Sequence, residues 1–162
     1  MERPPNKNPL PNSVVLDTDV IVNWLTQEVE TGTGKELWKA PYKIFELLEN
    51  HRLKGCTGLT NIFELRFLLR RKKNIADHVI EKTITLLKNI LDIVIPDEIT
   101  LLRANLLQSK NHLDPFDAII MAIALSTQPS VFLSRDNSLL TIASALIPAL
   151  TPDEYTSHLN AK

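Results

Sequence analysis

Four acidic side chains stand at the borders of apolar segments. They are Asp17 after Val14-Val15-Leu16, Glu64 within Asn61-Ile62-Phe63-Glu64-Leu65, Asp117 at the head of Asp117-Ala118-Ile119-Ile120, and Asp136 after Val131-Phe132-Leu133-Ser134-Arg135. One carboxylate at the end of a strand is commonplace. Four of them, spread over the chain with almost no histidine or cysteine beside them, suggest a site built from oxygen ligands for a hard divalent cation. The four histidines, His51, His78, His112 and His158, show no paired spacing and keep no cysteine company, which argues against zinc. No serine sits in a Gly-x-Ser-x-Gly elbow, and Thr31-Gly32-Thr33-Gly34-Lys35-Glu36 lacks the spacing of a phosphate loop.

Each acid also has a plainer reading. Asp114-Pro115-Phe116-Asp117 is good helix-start grammar, with Asp114 as cap, and Thr151-Pro152-Asp153-Glu154 repeats that grammar near the C-terminus. Asp117 differs because Ala118 to Leu125 is apolar throughout, so its helix is buried and its carboxylate needs a partner. Glu64 could pair with Arg71 or stay solvated, Asp136 could cap the helix from Asn137, and Asp17 or Asp19 could cap the one near Val20. Arg66, Arg70, Arg71, Lys72 and Lys73 crowd the end of the Glu64 helix. Such a run complements the helix dipole, and it could equally track a phosphate backbone toward the acids.

The elements that must position these groups alternate. Ser13 to Leu16 is a short buried strand, followed by a helix from Val20 to Leu25. A polar loop from Gln27 to Lys39, able to act as a lid, precedes a helix with Tyr42, Phe45 and Leu48 at helical spacing. Lys54 to Thr57 forms a strand, Asn61 to Arg71 and Ile75 to Ile90 form helices, and Asp92 to Ile95 a strand stopped by Pro96. Asp97 caps a helix to Lys110. Pro115 to Thr127 is an apolar helix, Ser130 to Ser134 a strand, and Asn137 to Leu146 a helix. An extended piece near Ile147 to Leu150 precedes a terminal helix. Strands alternating with helices call for an α/β fold, a parallel sheet sandwiched by helices. Ligands bind such sheets outside the carboxyl ends of the strands, where Asp17 and Asp136 fall and where Glu64 and Asp117, in first turns of helices, can join them.

The 162 residues suit one domain over residues 13–162 behind a Pro-rich flexible tail over residues 1–12. With 18 Lys and Arg against 19 Asp and Glu, the net charge of −1 advertises no nucleic-acid partner globally, so local patches must carry that argument. The lone Cys56 excludes an internal disulfide and fits a reducing compartment. The N-terminus lacks an apolar signal region, and the longest uncharged stretch, Asn137 to Thr151, falls short of the ~20 residues of a membrane span. The expectation is a cytoplasmic protein without membrane contact.

Taken in order, Val15-Leu16-Asp17-Thr18-Asp19-Val20-Ile21-Val22, Thr60-Asn61-Ile62-Phe63-Glu64-Leu65, Asp114-Pro115-Phe116-Asp117-Ala118-Ile119-Ile120-Met121-Ala122-Ile123-Ala124 and Phe132-Leu133-Ser134-Arg135-Asp136 resemble the PIN-domain nucleases. These are best known as the toxin halves of VapBC-type toxin–antitoxin modules. The resemblance spans Ser13 to about Leu150. It implies that Asp17, Glu64, Asp117 and Asp136 hold one or two Mg2+ or Mn2+ ions, with Thr18 and Ser134 as supporting hydroxyls. It further implies RNA as substrate, an antitoxin protein as partner and a homodimer. Asp19 stands where many relatives have Asn and reads as a helix-start residue, and the Gln27–Lys39 loop is longer than in compact toxins.

Two other classes compete. Leu16-Asp17-Thr18-Asp19-Val20 also resembles the nucleophile motif of haloacid-dehalogenase-like phosphatases, with Asp17 attacking and Asp19 as acid. That reading leaves Glu64 idle and finds Asp114 and Asp117 opening a helix rather than following a strand. The third class is a non-catalytic PIN-like binding protein, for which an intact quartet gives no support.

Overall fold

The computed structural model describes residues 9–160, so most of the Pro-rich tail lies outside the described residues. Strands β1 (Ser13–Leu16), β2 (Lys54–Gly58), β3 (Asp92–Val94), β4 (Val131–Leu133) and β5 (Ala149–Leu150) form one sheet, in the order β3-β2-β1-β4-β5. Every pairing is parallel. The helices are α1 (Thr18–Thr26), α2 (Lys39–Glu49), α3 (Leu59–Arg71), α4 (Asp77–Ile90), α5 (Glu98–Lys110), α6 (Pro115–Ser126), α7 (Asn137–Ser144) and α8 (Pro152–Asn160).

The two-residue alternation of a strand sorts side chains between two cores. Val14 and Leu16 of β1, with Val131 and Leu133 of β4, face Ile21, Phe45, Leu48, Leu65, Leu69, Ile80, Leu87 and Tyr155. Val15 and Phe132, between them in sequence, face Ile120, Met121, Ile123, Leu139 and Ala143 on the other side. Strand segments buried on both faces must be apolar, and Val14 to Leu16 of β1 and Val131 to Leu133 of β4 are. Register is fixed by the same demand, with Val14, Val15 and Leu16 beside Val131, Phe132 and Leu133. Gly55 of β2 lies where a Cβ would come within 2.6 Å of Leu48 and 2.8 Å of Leu91, so its lack of a side chain lets α2 close on the sheet.

Helix starts depart from the sequence expectation in four places, and α7 ends at Ser144 rather than Leu146. Helix α1 begins at Thr18, directly after its cap Asp17, rather than at Val20. Helix α2 begins at Lys39, three residues before Tyr42. Helix α3 begins at Leu59, which places Glu64 in the second turn rather than the first. Its N-cap is Gly58, whose missing side chain leaves no capping signal to read. Helix α4 begins at Asp77, and Ile75 packs on the core from the preceding loop, its amide bonded to Leu69 O at 3.0 Å. The loop from Gln27 to Lys39 carries a small antiparallel bridge between Val29 and Glu36, turning through Gly32 and Gly34 at positive φ.

Candidate active site

Strand order reverses between β1 and β4: the chain builds β1, β2 and β3 outward, then returns to lay β4 on the other side of β1. The strand ends at that reversal splay their loops apart and leave a crevice, the usual ligand site of an open parallel sheet. Asp17 leaves β1 there, and Ser134, Arg135 and Asp136 leave β4 beside it.

Asp17 lies at the floor, buried, and is held on all sides. Its Oδ1 accepts from the Thr18 amide at 2.7 Å and from Asn61 Nδ2 at 3.4 Å, and its Oδ2 accepts from the Ser134 hydroxyl at 2.8 Å. Asn61 Nδ2 also donates to Thr18 Oγ1 at 3.0 Å, and Thr18 in turn donates to Glu64 Oε2 at 2.5 Å. Glu64 is thus tied to Asp17 through Thr18, rather than to Arg71. Gly58 makes this approach possible, since a Cβ there would come within 2.8 Å of Asn61 Oδ1 and of Ile123. Asp136 Nα donates to Ser134 Oγ at 3.0 Å, which fixes the hydroxyl from the far side.

Asp19 belongs to this cluster, which the sequence reading did not foresee. Its Oδ2 accepts from the Arg135 amide at 2.8 Å and lies 3.3 Å from the Ser134 hydroxyl, so one hydroxyl touches both aspartates. Arg135 was also missed. Its guanidinium donates to Asn23 Oδ1 at 2.5 Å, Asp153 Oδ2 at 2.6 Å and the Leu37 carbonyl at 2.6 Å, tying the crevice to the long loop and to α8. The available signal was the position of Arg135, a cation between the serine and aspartate that follow β4.

The outer acids keep their capping roles as well. Asp114 is exposed and accepts from the Asp117 amide at 2.9 Å, and exposed Asp136 accepts from the Leu139 amide at 2.9 Å. Asp117 is half-buried. Burial pushes its carboxyl up to about 7, helped by the charges of Asp114, Asp136, Glu64 and Asp19. Asp17 lies well above the ordinary carboxylate range because it is buried and faces Asp19, while its donors Ser134 and Thr18 pull the other way. Burial raises Asp19 too, against the Arg135 amide, Ser134, the Val20 amide and the Arg135 charge. Burial disfavours the charged form of each of these carboxyls, and a bound cation would favour it.

Donor chemistry fits a hard divalent ion: every candidate ligand is an oxygen, and Asp19 Oδ1 is closed off from solvent with no hydrogen-bond partner. Among the described residues, no three acidic, histidine or cysteine side chains converge as a ready-made chelate. Mg2+ does not require one, since it keeps most of its waters and takes one or two carboxylates.

A family model described as PIN domain matches residues 13–138. The chain belongs to the PIN-domain family. No curated relative matched it in sequence. Among solved structures, this PIN domain is similar to a toxin–antitoxin complex from Klebsiella pneumoniae, with 18% identity, a TM-score of 0.61 and coverage of 86% of this chain and 97% of that one. It is also similar to a Pyrobaculum aerophilum protein, at 14% identity, a TM-score of 0.64 and coverage of 93% and 90%. A third is DNA-bound VapBC from Salmonella typhimurium, at 13% identity, a TM-score of 0.60 and coverage of 86% and 98%. Identities this low establish a shared fold.

In this PIN domain the basic run on α3 divides in two. Arg66 pairs with Glu81, Arg70 Nε with Asp77 at 2.7 Å, and Lys73 with Glu28 at 3.2 Å. Among the described residues, Arg71 and Lys72 are exposed and make no ion pair. No described helix is long and apolar enough to cross a membrane.

Proposed function

We propose that this PIN domain is a divalent-metal-dependent endoribonuclease, the toxin of a toxin–antitoxin module. One observation carries the reading: Thr18 and Ser134 tie Asp17, Asp19 and Glu64 into one hydrogen-bonded cluster at the crevice between β1 and β4, where burial raises Asp17, Asp19 and Asp117. Asp17 and Glu64 are the inner ligand candidates, held by Thr18, Asn61 and Ser134, and Asp117 and Asp136 are the outer ones, with Asp114 supporting α6. A Mg2+ or Mn2+ ion bound there supplies a polarised water and neutralises charge on the phosphate. The chain's own work is to fix carboxylate orientation before substrate arrives, which the hydrogen bonds at Asp17 and Glu64 do. Neither a protein nucleophile nor a histidine base is required.

Within the basic run of α3, Arg71 and Lys72 are the cations free to take RNA phosphates. Arg66, Arg70 and Lys73 reach RNA only by giving up their present partners. Toxin–antitoxin complexes among the similar folds support an antitoxin partner, and exposed Ile99, Leu102 and Leu106 on α5 offer an apolar face to a homodimer. A cytoplasmic location goes with this reading. The phosphatase alternative leaves Glu64 without a role, whereas Glu64 is tied through Thr18 to Asp17.

The test is cleavage of RNA by the full chain with Mg2+ or Mn2+ against EDTA, beside Asp17→Asn. Metal-dependent cleavage lost in the variant is expected. Hydrolysis of small phosphoesters with no action on RNA would replace this reading with the phosphatase one.

A further inference from the structure

The two aspartates on the floor of the crevice differ in what their oxygens receive. Asp17 Oδ1 has the Thr18 amide and Asn61, and its Oδ2 has Ser134. Asp19 Oδ2 has the Arg135 amide, but Asp19 Oδ1 is shut off from solvent and accepts from no donor. Ser134 does not make up the difference. It has one proton, which favours Asp17 at 2.8 Å over Asp19 Oδ2 at 3.3 Å. The Arg135 guanidinium does not either: its bonds go to Asn23, Asp153 and the Leu37 carbonyl, and none goes to Asp19. The Val20 amide favours the Asp19 charge without bonding Oδ1 in normal geometry.

A carboxylate oxygen buried without a donor forfeits its hydration and gets nothing in return. A residue serving only to start a helix has no cause to be held that way, since its side chain is free to turn toward water. Here the Arg135 amide pins one oxygen, and the Ser134 hydroxyl, 2.8 Å from Asp17 and 3.3 Å from Asp19, sets the two carboxyl groups side by side in a cluster whose charges also bear on Asp117. A divalent cation is the partner whose chemistry fits a bare carboxylate oxygen among carboxylates.

We propose that Asp19 is a direct ligand of the site's divalent cation through Oδ1, joining Asp17 and Glu64 among its inner carboxylates. The proposal deepens the nuclease reading and rests on it for the presence of the cation.

Mn2+ titrated into the full chain by calorimetry, with the Mn2+-induced rise in melting temperature as second readout, tests it. Asp19→Asn can keep an oxygen toward the Arg135 amide and replaces the bare oxygen with an N–H donor. At least about a tenfold loss of Mn2+ affinity is expected, with most of the melting rise gone and the metal-free variant as stable as the parent. Asp19→Ser serves as a second variant and should lose affinity likewise. Parental Mn2+ affinity in either folded variant would overturn the proposal, as would a parent that binds no Mn2+. A parent that binds Mn2+ through Asp19 yet leaves RNA intact would sink the nuclease reading and uphold this one. RNA cleavage by a parent whose Mn2+ affinity is indifferent to Asp19 would do the reverse.

Discussion

Helices α6 and α8 open on matching signals, Asp114-Pro115-Phe116-Asp117 and Thr151-Pro152-Asp153-Glu154, and put them to different uses. At α8 the third helical residue closes a reciprocal box: Glu154 Oε2 accepts from the Thr151 amide at 2.8 Å and hydroxyl at 2.9 Å, and its own amide returns to Thr151 Oγ1 at 3.2 Å. At α6 the cap is made, Asp114 to the Asp117 amide, but among the described residues no hydrogen bond uses the Asp117 carboxylate. That carboxylate is left beside other acids and is pushed up to about 7. Asp97, the cap of α5, marks the opposite limit, lowered by its bonds to Thr100. Capping grammar therefore does not show which third-position carboxylate is tied to its own helix start; the return bond, made by Glu154 and not by Asp117, does.

The sharpest way to break this comparison is to neutralise both third-position acids. Asp117→Asn should reduce metal-dependent RNA cleavage by about a hundredfold or more, while the metal-free protein melts about 2–4 °C higher, near 1 kcal/mol after allowance for solvent screening. Glu154→Gln should leave cleavage at the parental rate. Equal cleavage by the two variants would remove Asp117 from the site.

A smaller effect is expected at the glycines. Gly58→Ala pushes on Asn61, and a loss of about 10–100-fold in Mn2+ affinity should follow. Gly55→Ala meets only Leu48 and Leu91, so it should lower melting temperature and spare metal binding. If calorimetry gave both variants the parental affinity, Asn61 would have no part in holding the acids.

The pH dependence of stability comes next. Below 3.8, the ordinary Asp117 value, its carboxyl is protonated in both folded and unfolded chains. Between 3.8 and about 7 only the folded chain holds the proton, so this group's contribution to stability is lost as pH rises and is gone above about 7. Metal-free parent should lose more melting temperature across that window than Asp117→Asn does. Parallel curves for the two would show that Asp117 is not raised.

Two surface changes close the series. Arg71→Ala with Lys72→Ala should flatten the salt dependence of RNA binding by roughly 0.7 per lost phosphate contact, and a slope equal to the parent's would place the RNA path elsewhere. Asp114→Asn should change cleavage and stability least, because asparagine caps about as well as aspartate. A loss on the scale of Asp117→Asn would make Asp114 a ligand.

The alternation of elements was legible because burial on both faces forces apolar runs into β1 and β4, and amphipathic spacing into α4. Asp17, Glu64, Asp117 and Asp136 stood out for the complementary reason: carboxylates interrupt those runs. Asp19, Asn61 and Arg135 were not legible, since their roles rest on contacts between residues far apart in the chain, Asn61 to Thr18 and Arg135 to Asn23 and Asp153. No local pattern encodes which amide a carboxylate will meet across a sheet. The α3 start was hidden for a simpler reason, a cap without a side chain at Gly58.

The bond from Ser134 to Asp17 spans 117 positions of the chain. During synthesis, β1 and its aspartate leave the ribosome long before β4, so the growing chain holds the floor acids apart from the hydroxyl and amide that orient them. Contacts of such sequence separation form late and slowly. The crevice therefore cannot exist in a nascent chain or a fragment that stops short of Ser134, and whatever activity it confers must wait for β4 and the residues that follow it.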